Sequence, residues 1–214
     1  MRAPAVHEQP NESRRPISPR RSVTLIDGKK IMGLDFKNLD DATRRYMIEE
    51  IEIDEAAGTL YLSPWLTEAG CNQWATLLKT AARQGNDDTL AAALRNGGYI
   101  RTLAERRKPT GGVTTYRIPG TAAETMAGEF NLFYIRALCR RAIDGGNTPL
   151  QVYRARPSSE PRPESVALID TFVDARATLE DLRQTHGTKP SLGFPPGPNS
   201  GLTARLLNEL QRAV

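Results

Sequence analysis

The sequence predicts an α+β fold in which antiparallel hairpins and a small sheet pack against one long central helix. Three observations lead to this class. Two short β-prone runs flank Asp27-Gly28, a dipeptide typical of tight hairpin turns. Residues 121–144 form the longest helix-prone stretch and end at Gly145-Gly146. Residues 150–156 then follow as a strand on which that helix packs.

The length and composition indicate one folded domain with tails. A chain of 214 residues is long enough to bury one hydrophobic core. Its 39% hydrophobic and 25% charged residues lie in the globular range. We predict a flexible basic and Pro-rich arm at 1–21, a single α+β domain at 22–190, and a Pro/Gly-rich loop with a short C-terminal helix at 191–214. The Pro-rich run 195–201 is interpreted as a domain end rather than a docking segment.

Antiparallel hairpins are expected between residues 22 and 62. The first surrounds Asp27-Gly28. Farther on, Ile51 and Ile53 alternate with acidic residues, and a second β-prone run begins after Gly58. Such alternation is typical of a strand with one solvated face, so it predicts a second hairpin with an acidic surface.

The middle of the chain is predicted to be helical. Thr67 is a suitable N-cap for a helix that continues to Lys79. A second helix is expected to begin at Asp87 or Asp88 and to end at Gly97. Residues 99–112 are predicted to be a basic loop that leads into a strand at 113–118. Residues 174–184 have the pattern of an amphipathic helix.

Several classes of protein are disfavoured by what the sequence lacks. It contains no apolar run of the ~20 residues that a membrane-spanning helix needs, and no apolar segment of a secretory signal follows the N-terminal arginines. Cys71 and Cys139 are not spaced for a zinc site or a disulfide framework. We therefore expect a soluble, cytoplasmic protein without a membrane partner.

The sequence carries no recognisable enzyme motif. The phosphate-binding, dinucleotide-binding, serine-hydrolase and zinc-protease signatures are all missing. The two histidines, His7 and His186, offer little material for general acid-base chemistry or a metal site. No catalytic residue, metal or cofactor is predicted.

Charge is distributed unevenly along the chain. The formal net charge is +4, and the basic residues concentrate in three segments at 1–21, 101–117 and 130–156. Clusters of arginine attract phosphates and acidic surfaces. The charge pattern therefore indicates a polyanionic partner, although solvated surface arginines would give the same pattern.

The central helix contains a charged seam on an otherwise apolar surface. Glu129, Arg136 and Arg140 fall within about 40° of one another on a helical wheel. Buried charges need partners, and two interpretations follow. The first is an internal ion network of Glu129 with Arg136 or with arginines of the following strand. In the second, Arg136 and Arg140 converge with Arg154 and Arg156 on a pocket or groove for phosphate or carboxylate.

These patterns predict a non-enzymatic binding protein that contacts nucleic acid or another polyanion through an arginine-rich surface. The predicted polyanion-binding residues are Arg136, Arg140, Arg154, Arg156, Arg106, Arg107 and Lys108. Two alternatives stay open. One is a structural or assembly subunit of a phage or other mobile element, whose terminal arms wrap neighbouring copies in an oligomer. The other is an enzyme with an unrecognised site near Glu129, Arg136 and Tyr153.

Overall fold

The structure is a computed structural model that describes residues 24–26, 29–31, 33–146, 148–187 and 189–207. The α+β class is confirmed. The first hairpin belongs to a compact unit that ends at Ile31, and the chain from Met32 forms a second unit. Within the described ranges, no helix is both long and apolar enough to cross a membrane.

The first unit contains one described hairpin. Strands β1 (Thr24–Ile26) and β2 (Lys29–Ile31) pair antiparallel, with Ile26 opposite Lys29. This confirms the hairpin predicted at the start of the domain. The predicted turn at Asp27-Gly28 and the predicted arm at 1–21 lie outside the described residues.

Helix α1 (Asp41–Ala57) replaces the second predicted hairpin, which was wrong. The Asp40 carboxylate caps the helix by accepting the N–H of Thr43 at 2.9 Å. Gly58 ends it in the left-handed conformation, with φ 67°. The alternation over residues 50–54 is too short to exclude a helix, and the inward positions recur every three or four residues. These positions are Thr43, Met47, Glu50, Ile51 and Asp54.

Helices α2 (Glu68–Gln84) and α3 (Asp87–Asn96) confirm the predicted helical pair. Thr67 caps α2, as expected, by accepting the N–H of Gly70 at 3.1 Å. The end of α2 is tied to α1, because Arg44 donates to the carbonyl oxygens of Ala82 at 2.8 Å and Gly85 at 3.0 Å. A cation at the carbonyl end of a helix also complements the helix dipole.

The predicted basic loop at 99–112 is partly a strand. Strands β3 (Leu103–Arg107) and β4 (Val113–Arg117) form an antiparallel hairpin in which Ala104 lies opposite Tyr116. The loop prediction was therefore wrong for 103–107, although the strand at 113–118 is confirmed apart from its last residue. The turn reaches positive φ at Gly111 and Gly112, which glycine adopts without strain.

The predicted helix at 121–144 is bent into two segments, α4 (Ala122–Ala127) and α5 (Glu129–Asp144). They meet at Gly128, where the chain lies against Pro198. A Cβ atom on Gly128 would come within 2.5 Å of the Pro198 Cβ, so the close approach requires glycine. As predicted, α5 is buried on nearly all sides, and it packs against α1, α7 and β7.

A three-stranded sheet flanks α5, with β5 (Leu150–Arg154) in the centre. The strands β6 (Phe172–Val173) and β7 (Leu202–Leu206) pair antiparallel with its two edges. Helices α6 (Pro163–Ala167) and α7 (Ala175–Gln184) precede and follow β6. The second of these confirms the predicted amphipathic helix.

Strand β7 corrects the predicted C-terminal helix in the part that is described. Leu202 and Ala204 are fully buried, and the Thr203 hydroxyl donates to Oδ1 of Asn131 on α5 at 2.6 Å. Pairing with the open edge of β5 satisfies the backbone while burying these side chains, which a surface helix would not do. Residues 208–214 lie outside the described residues.

Candidate functional site

The structure distributes the seven predicted polyanion-binding residues over three places. Arg136 and Arg140 lie on α5. Arg154 ends β5, and Arg156 follows two residues later. Arg106, Arg107 and Lys108 lie at the tip of the β3–β4 hairpin. Each group has different surroundings.

The α5 arginines belong to an internal cluster, which we call the charged cluster and define as Glu50, Asp54, Arg136, Arg140 and Arg183. Arg136 is buried and lies between two carboxylates of α1. Its Nε donates to Glu50 Oε2 at 2.9 Å, and its Nη1 donates to Asp54 Oδ2 at 2.6 Å. The cluster therefore joins α5 to α1 through charge-assisted hydrogen bonds.

Glu50 is the centre of this cluster. Its side chain is fully buried and accepts hydrogen bonds from three arginines on two helices. Arg183 of α7 binds both carboxylate oxygens, at 3.0 and 2.5 Å. Burial alone would raise the pKa of Glu50, but Arg183, Arg136 and Arg140 outweigh it and lower the pKa to about 2. The carboxylate is thus ionised throughout the physiological range.

The ion network expected on α5 is therefore present, but with partners other than those predicted. The sequence pointed to Glu129 or to the strand arginines, whereas the structure supplies Glu50 and Asp54 from α1. Reading α1 as a strand had placed these two carboxylates on a solvated face. Arg136 is committed to them and is only 3% exposed.

Arg154 and Arg156 lie near the end of the sheet. One amino group of Arg154 donates to the carbonyl oxygen of Ser200 at 3.2 Å. The charge of Arg156 acts on Asp87 and Asp88 at the start of α3. Burial raises the pKa of Asp87 to about 6, and both the Leu34 N–H and Arg156 oppose that rise.

The third group lies on a surface that we call the basic hairpin, residues 101–117. It carries five cationic side chains and one carboxylate, Glu105. Arg106, Arg107 and Lys108 are exposed, and within the described part of the chain none of them forms a salt bridge. Their charge is therefore available to a partner.

A hydrogen bond fixes the base of this hairpin to the rest of the unit. The indole N–H of Trp65 donates to the Tyr116 hydroxyl at 2.9 Å. The guanidinium of Arg106 lies 5.9 Å from the centre of the same Tyr116 ring, within the range of a cation–π contact. Tyr116 thus links the hairpin to the segment before α2.

A cavity of about 490 Å³ opens beside Trp65 and Tyr116. We call it the aromatic cavity, because its walls include four aromatic side chains, Tyr61, Trp65, Trp74 and Tyr116. Four prolines of the segment 190–198 line it as well. The Pro-rich run interpreted as a domain end therefore packs on its own chain, where Phe194 is buried.

Glu129 is the one carboxylate among the residues that line the aromatic cavity. No described residue hydrogen-bonds to it. Burial raises the pKa of Glu129 to about 7; the charge of Arg136 lowers it, while that of Asp54 raises it. Burial also raises the pKa of Tyr61, and the Glu129 charge raises it further. Glu129 and Tyr61 are therefore electrostatic neighbours at this cavity.

The three residues of the enzyme alternative have different contacts in the structure. Glu129 lines the cavity, whereas Arg136 is held by α1. The Tyr153 hydroxyl donates to the carbonyl oxygen of Asp35 at 2.7 Å and accepts the N–H of Lys37 at 3.0 Å. Tyr153 is thus engaged by the segment before α1.

The described ranges contain no group of three or more His, Cys, Asp or Glu residues placed to hold a metal ion. Cys71 lies in α2 and Cys139 in α5, and neither forms a disulfide bond.

Sequence reasoning missed the aromatic cavity. Trp65 and Trp74 are the only tryptophans in the chain; Trp65 precedes the predicted helix and Trp74 lies within it. The other walls come from segments as distant as Tyr116 and Pro198.

Comparison with known proteins adds no assignment, because no family model, no curated protein and no solved structure matches this chain.

Proposed function

We propose that this protein is a non-enzymatic binding protein that contacts the phosphates of a nucleic acid through its basic hairpin. The observation that supports this proposal is the availability of charge. Arg106, Arg107 and Lys108 are exposed without a carboxylate partner among the described residues, whereas Arg136 is buried between Glu50 and Asp54. Phosphate contacts supply much of the affinity of nucleic-acid-binding proteins.

The shape of the hairpin suits this role. Its five-residue strands are about 17 Å long, and a two-stranded ribbon fits a major groove about 12 Å wide. Alternation along a strand puts Arg106 on one face, beside Tyr116, and Arg107 on the other. Arg117, directly opposite Leu103, shares the face of Arg107. Cations on both faces are suited to phosphates along both walls of a groove.

The proposal narrows the predicted binding surface. Arg136 and Arg140 are not part of the proposed surface, because both guanidiniums form salt bridges with carboxylates of α1. Arg117 joins it, because it is exposed on the hairpin. Arg101 contributes less, since its Nε donates to the carbonyl oxygen of Leu66 at 2.7 Å.

Fluorescence anisotropy with labelled mixed-sequence DNA duplex and single-stranded RNA tests the proposal at about 0.1 and 0.5 M salt. The triple variant Arg106→Gln, Arg107→Gln, Lys108→Gln is expected to bind at least tenfold more weakly at the lower salt and to show a shallower salt dependence. The matched control is Arg83→Gln, Arg162→Gln, Arg176→Gln, which removes the same charge from other exposed positions.

Equal losses of affinity in the two triple variants would show that only the net charge of the protein matters. That result would contradict the basic hairpin as the binding surface. Light scattering on the same samples separates the assembly alternative. A salt-resistant oligomer that ignores nucleic acid would favour that alternative over the binding proposal.

A further inference from the structure

The aromatic cavity has the size and composition of a small-molecule site. Pockets for small ligands usually measure about 300–1,000 Å³ and combine apolar walls with a few polar groups. This cavity of about 490 Å³ combines four aromatic side chains with the carboxylate of Glu129. It contains both tryptophans of the chain.

The walls are held in place before any ligand arrives. Trp74 is 1% exposed and belongs to the hydrophobic core. The hydrogen bond from Trp65 to Tyr116 fixes two more rings. Gly187 lies so close to the Tyr61 ring that any side chain at this position would clash with it. A preorganised pocket loses less conformational entropy on binding than a flexible one.

No described residue forms an ion pair or a hydrogen bond with Glu129. Arg136, whose charge acts on Glu129, is committed to Glu50 and Asp54. The other charged residue that lines the cavity is Lys189, which is exposed and therefore solvated. An ionised carboxylate in an apolar site is costly unless a cation accompanies it. Among the described residues no cation hydrogen-bonds to Glu129, so near neutral pH the carboxylate is neutralised either by a proton or by a cation that enters the cavity.

We propose that the aromatic cavity binds a small organic cation of the amine or quaternary ammonium class, with Glu129 as its counter-ion. Aromatic faces attract such cations, and aromatic cages are a recurrent solution for quaternary ammonium groups. An uncharged apolar ligand would leave the carboxylate unpaired, and an anion would be repelled by it. The cavity shares Tyr116 with the basic hairpin but none of the hairpin's cationic residues, so the triple variant tests one proposal and Glu129→Gln tests the other.

Choline and its uncharged carbon isostere 3,3-dimethylbutan-1-ol are the first probes, because they share a shape and differ in charge. Benzyltrimethylammonium adds an aromatic group for the larger walls. Calorimetry gives the affinities, and tryptophan fluorescence reports directly on the cavity, since both tryptophans line it. The full chain is used, and circular dichroism checks that each variant is folded.

Glu129→Gln is expected to weaken binding of the cations at least tenfold and to leave the uncharged isostere unaffected. Glu68→Gln is the matched control, because Glu68 is likewise the first residue of a helix but is exposed and outside the cavity. That control is expected to bind like the wild type.

The affinity should also depend on pH. The charged and titratable groups around Glu129 are Arg136, Asp54, Tyr61 and Lys189, and burial raises the pKa of Glu129 to about 7. The ionised fraction of Glu129 rises about tenfold from pH 6 to pH 8. Cation affinity should rise by the same factor in the wild type and stay constant in Glu129→Gln.

Equal affinity for choline and its uncharged isostere would overturn the proposal, as would unchanged cation binding in Glu129→Gln. Failure of both ammonium probes to bind below about 10 mM would overturn it too.

Discussion

Glu50 is fully buried and Glu129 is half-buried, and the charge of Arg136 acts on both, yet their pKa values are shifted in opposite directions. Glu50 accepts hydrogen bonds from three arginines, and its pKa falls to about 2. Glu129 has no hydrogen-bond partner among the described residues, and its pKa rises to about 7. Burial raises the pKa of both, so the difference comes from their partners.

The two carboxylates therefore fit different roles, one structural and one at a proposed binding site. Glu50 is neutralised within the chain and joins α1 to α5 and α7. Glu129 lies at a cavity, where ionising its carboxyl destabilises the fold unless a cation binds beside it. Groups whose pKa is shifted by burial in a cleft are candidates for functional sites, whereas saturated ion pairs are usually structural.

Removing Arg136 should destabilise the fold more than any other change considered for these two carboxylates. Arg136→Met keeps an unbranched chain of similar volume but leaves Glu50 and Asp54 short of a partner in the interior. We expect the free energy of unfolding to fall by about 3–5 kcal/mol, measured by urea denaturation at pH 7. Lys79→Gln removes an exposed pair with Glu55 and should cost less than about 1 kcal/mol. Similar losses in the two variants would contradict the special role of the charged cluster.

Glu50→Gln should destabilise the fold by about 3 kcal/mol at pH 7. The pKa of Glu50 is lower in the folded chain than its ordinary value of 4.5. The stabilisation is therefore fully present above pH 4.5 and is lost as the pH falls toward 2. The difference between variant and wild type should shrink over that window in chemical denaturation curves. A gap that stays constant down to pH 2.5 would show that packing, rather than ionisation, sets the cost.

Glu129→Gln should change the free energy of unfolding in the opposite direction from Glu50→Gln, and by a smaller amount. Because the folded pKa of Glu129 lies above 4.5, ionisation opposes folding, and stability is lost as the pH rises from 4.5 through 7. Without ligand, the variant should be more stable than the wild type by about 1–3 kcal/mol at pH 8 and equal to it below pH 4.5. Thermal unfolding at several pH values measures this. A destabilised variant at pH 8 would mean that Glu129 has a stabilising partner after all.

The sequence predicted α5 well, because its apolar residues and its arginines lie in one continuous segment. It did not predict the partners of those arginines. The five residues 50–54 fit both a strand and a helix. The helix is distinguished only over a longer stretch, by the caps at Asp40 and Gly58 and by the inward positions from Thr43 onward. With α1 misassigned, Glu50 and Asp54 were expected to face water.

Strand β7 and the aromatic cavity depend on information that is not local. Residues 202–206 become a strand because β5 offers an unpaired edge, and no pattern within the segment itself requires it. The cavity joins Tyr61 and Trp65 to Tyr116, Glu129 and the prolines of 190–198. Each of these has an ordinary local explanation, so their convergence appears only in three dimensions.

The charged cluster also affects the order in which the fold can form during synthesis. Glu50 precedes Arg136 by 86 residues and Arg183 by 133. As the chain leaves the ribosome N-terminus first, α1 emerges with two inward-facing carboxylates whose cations have not yet been made. Its inner face cannot be buried at low cost until α5 and α7 follow. Burial of these two carboxylates against α5 and α7 is therefore expected only after most of the protein has been translated.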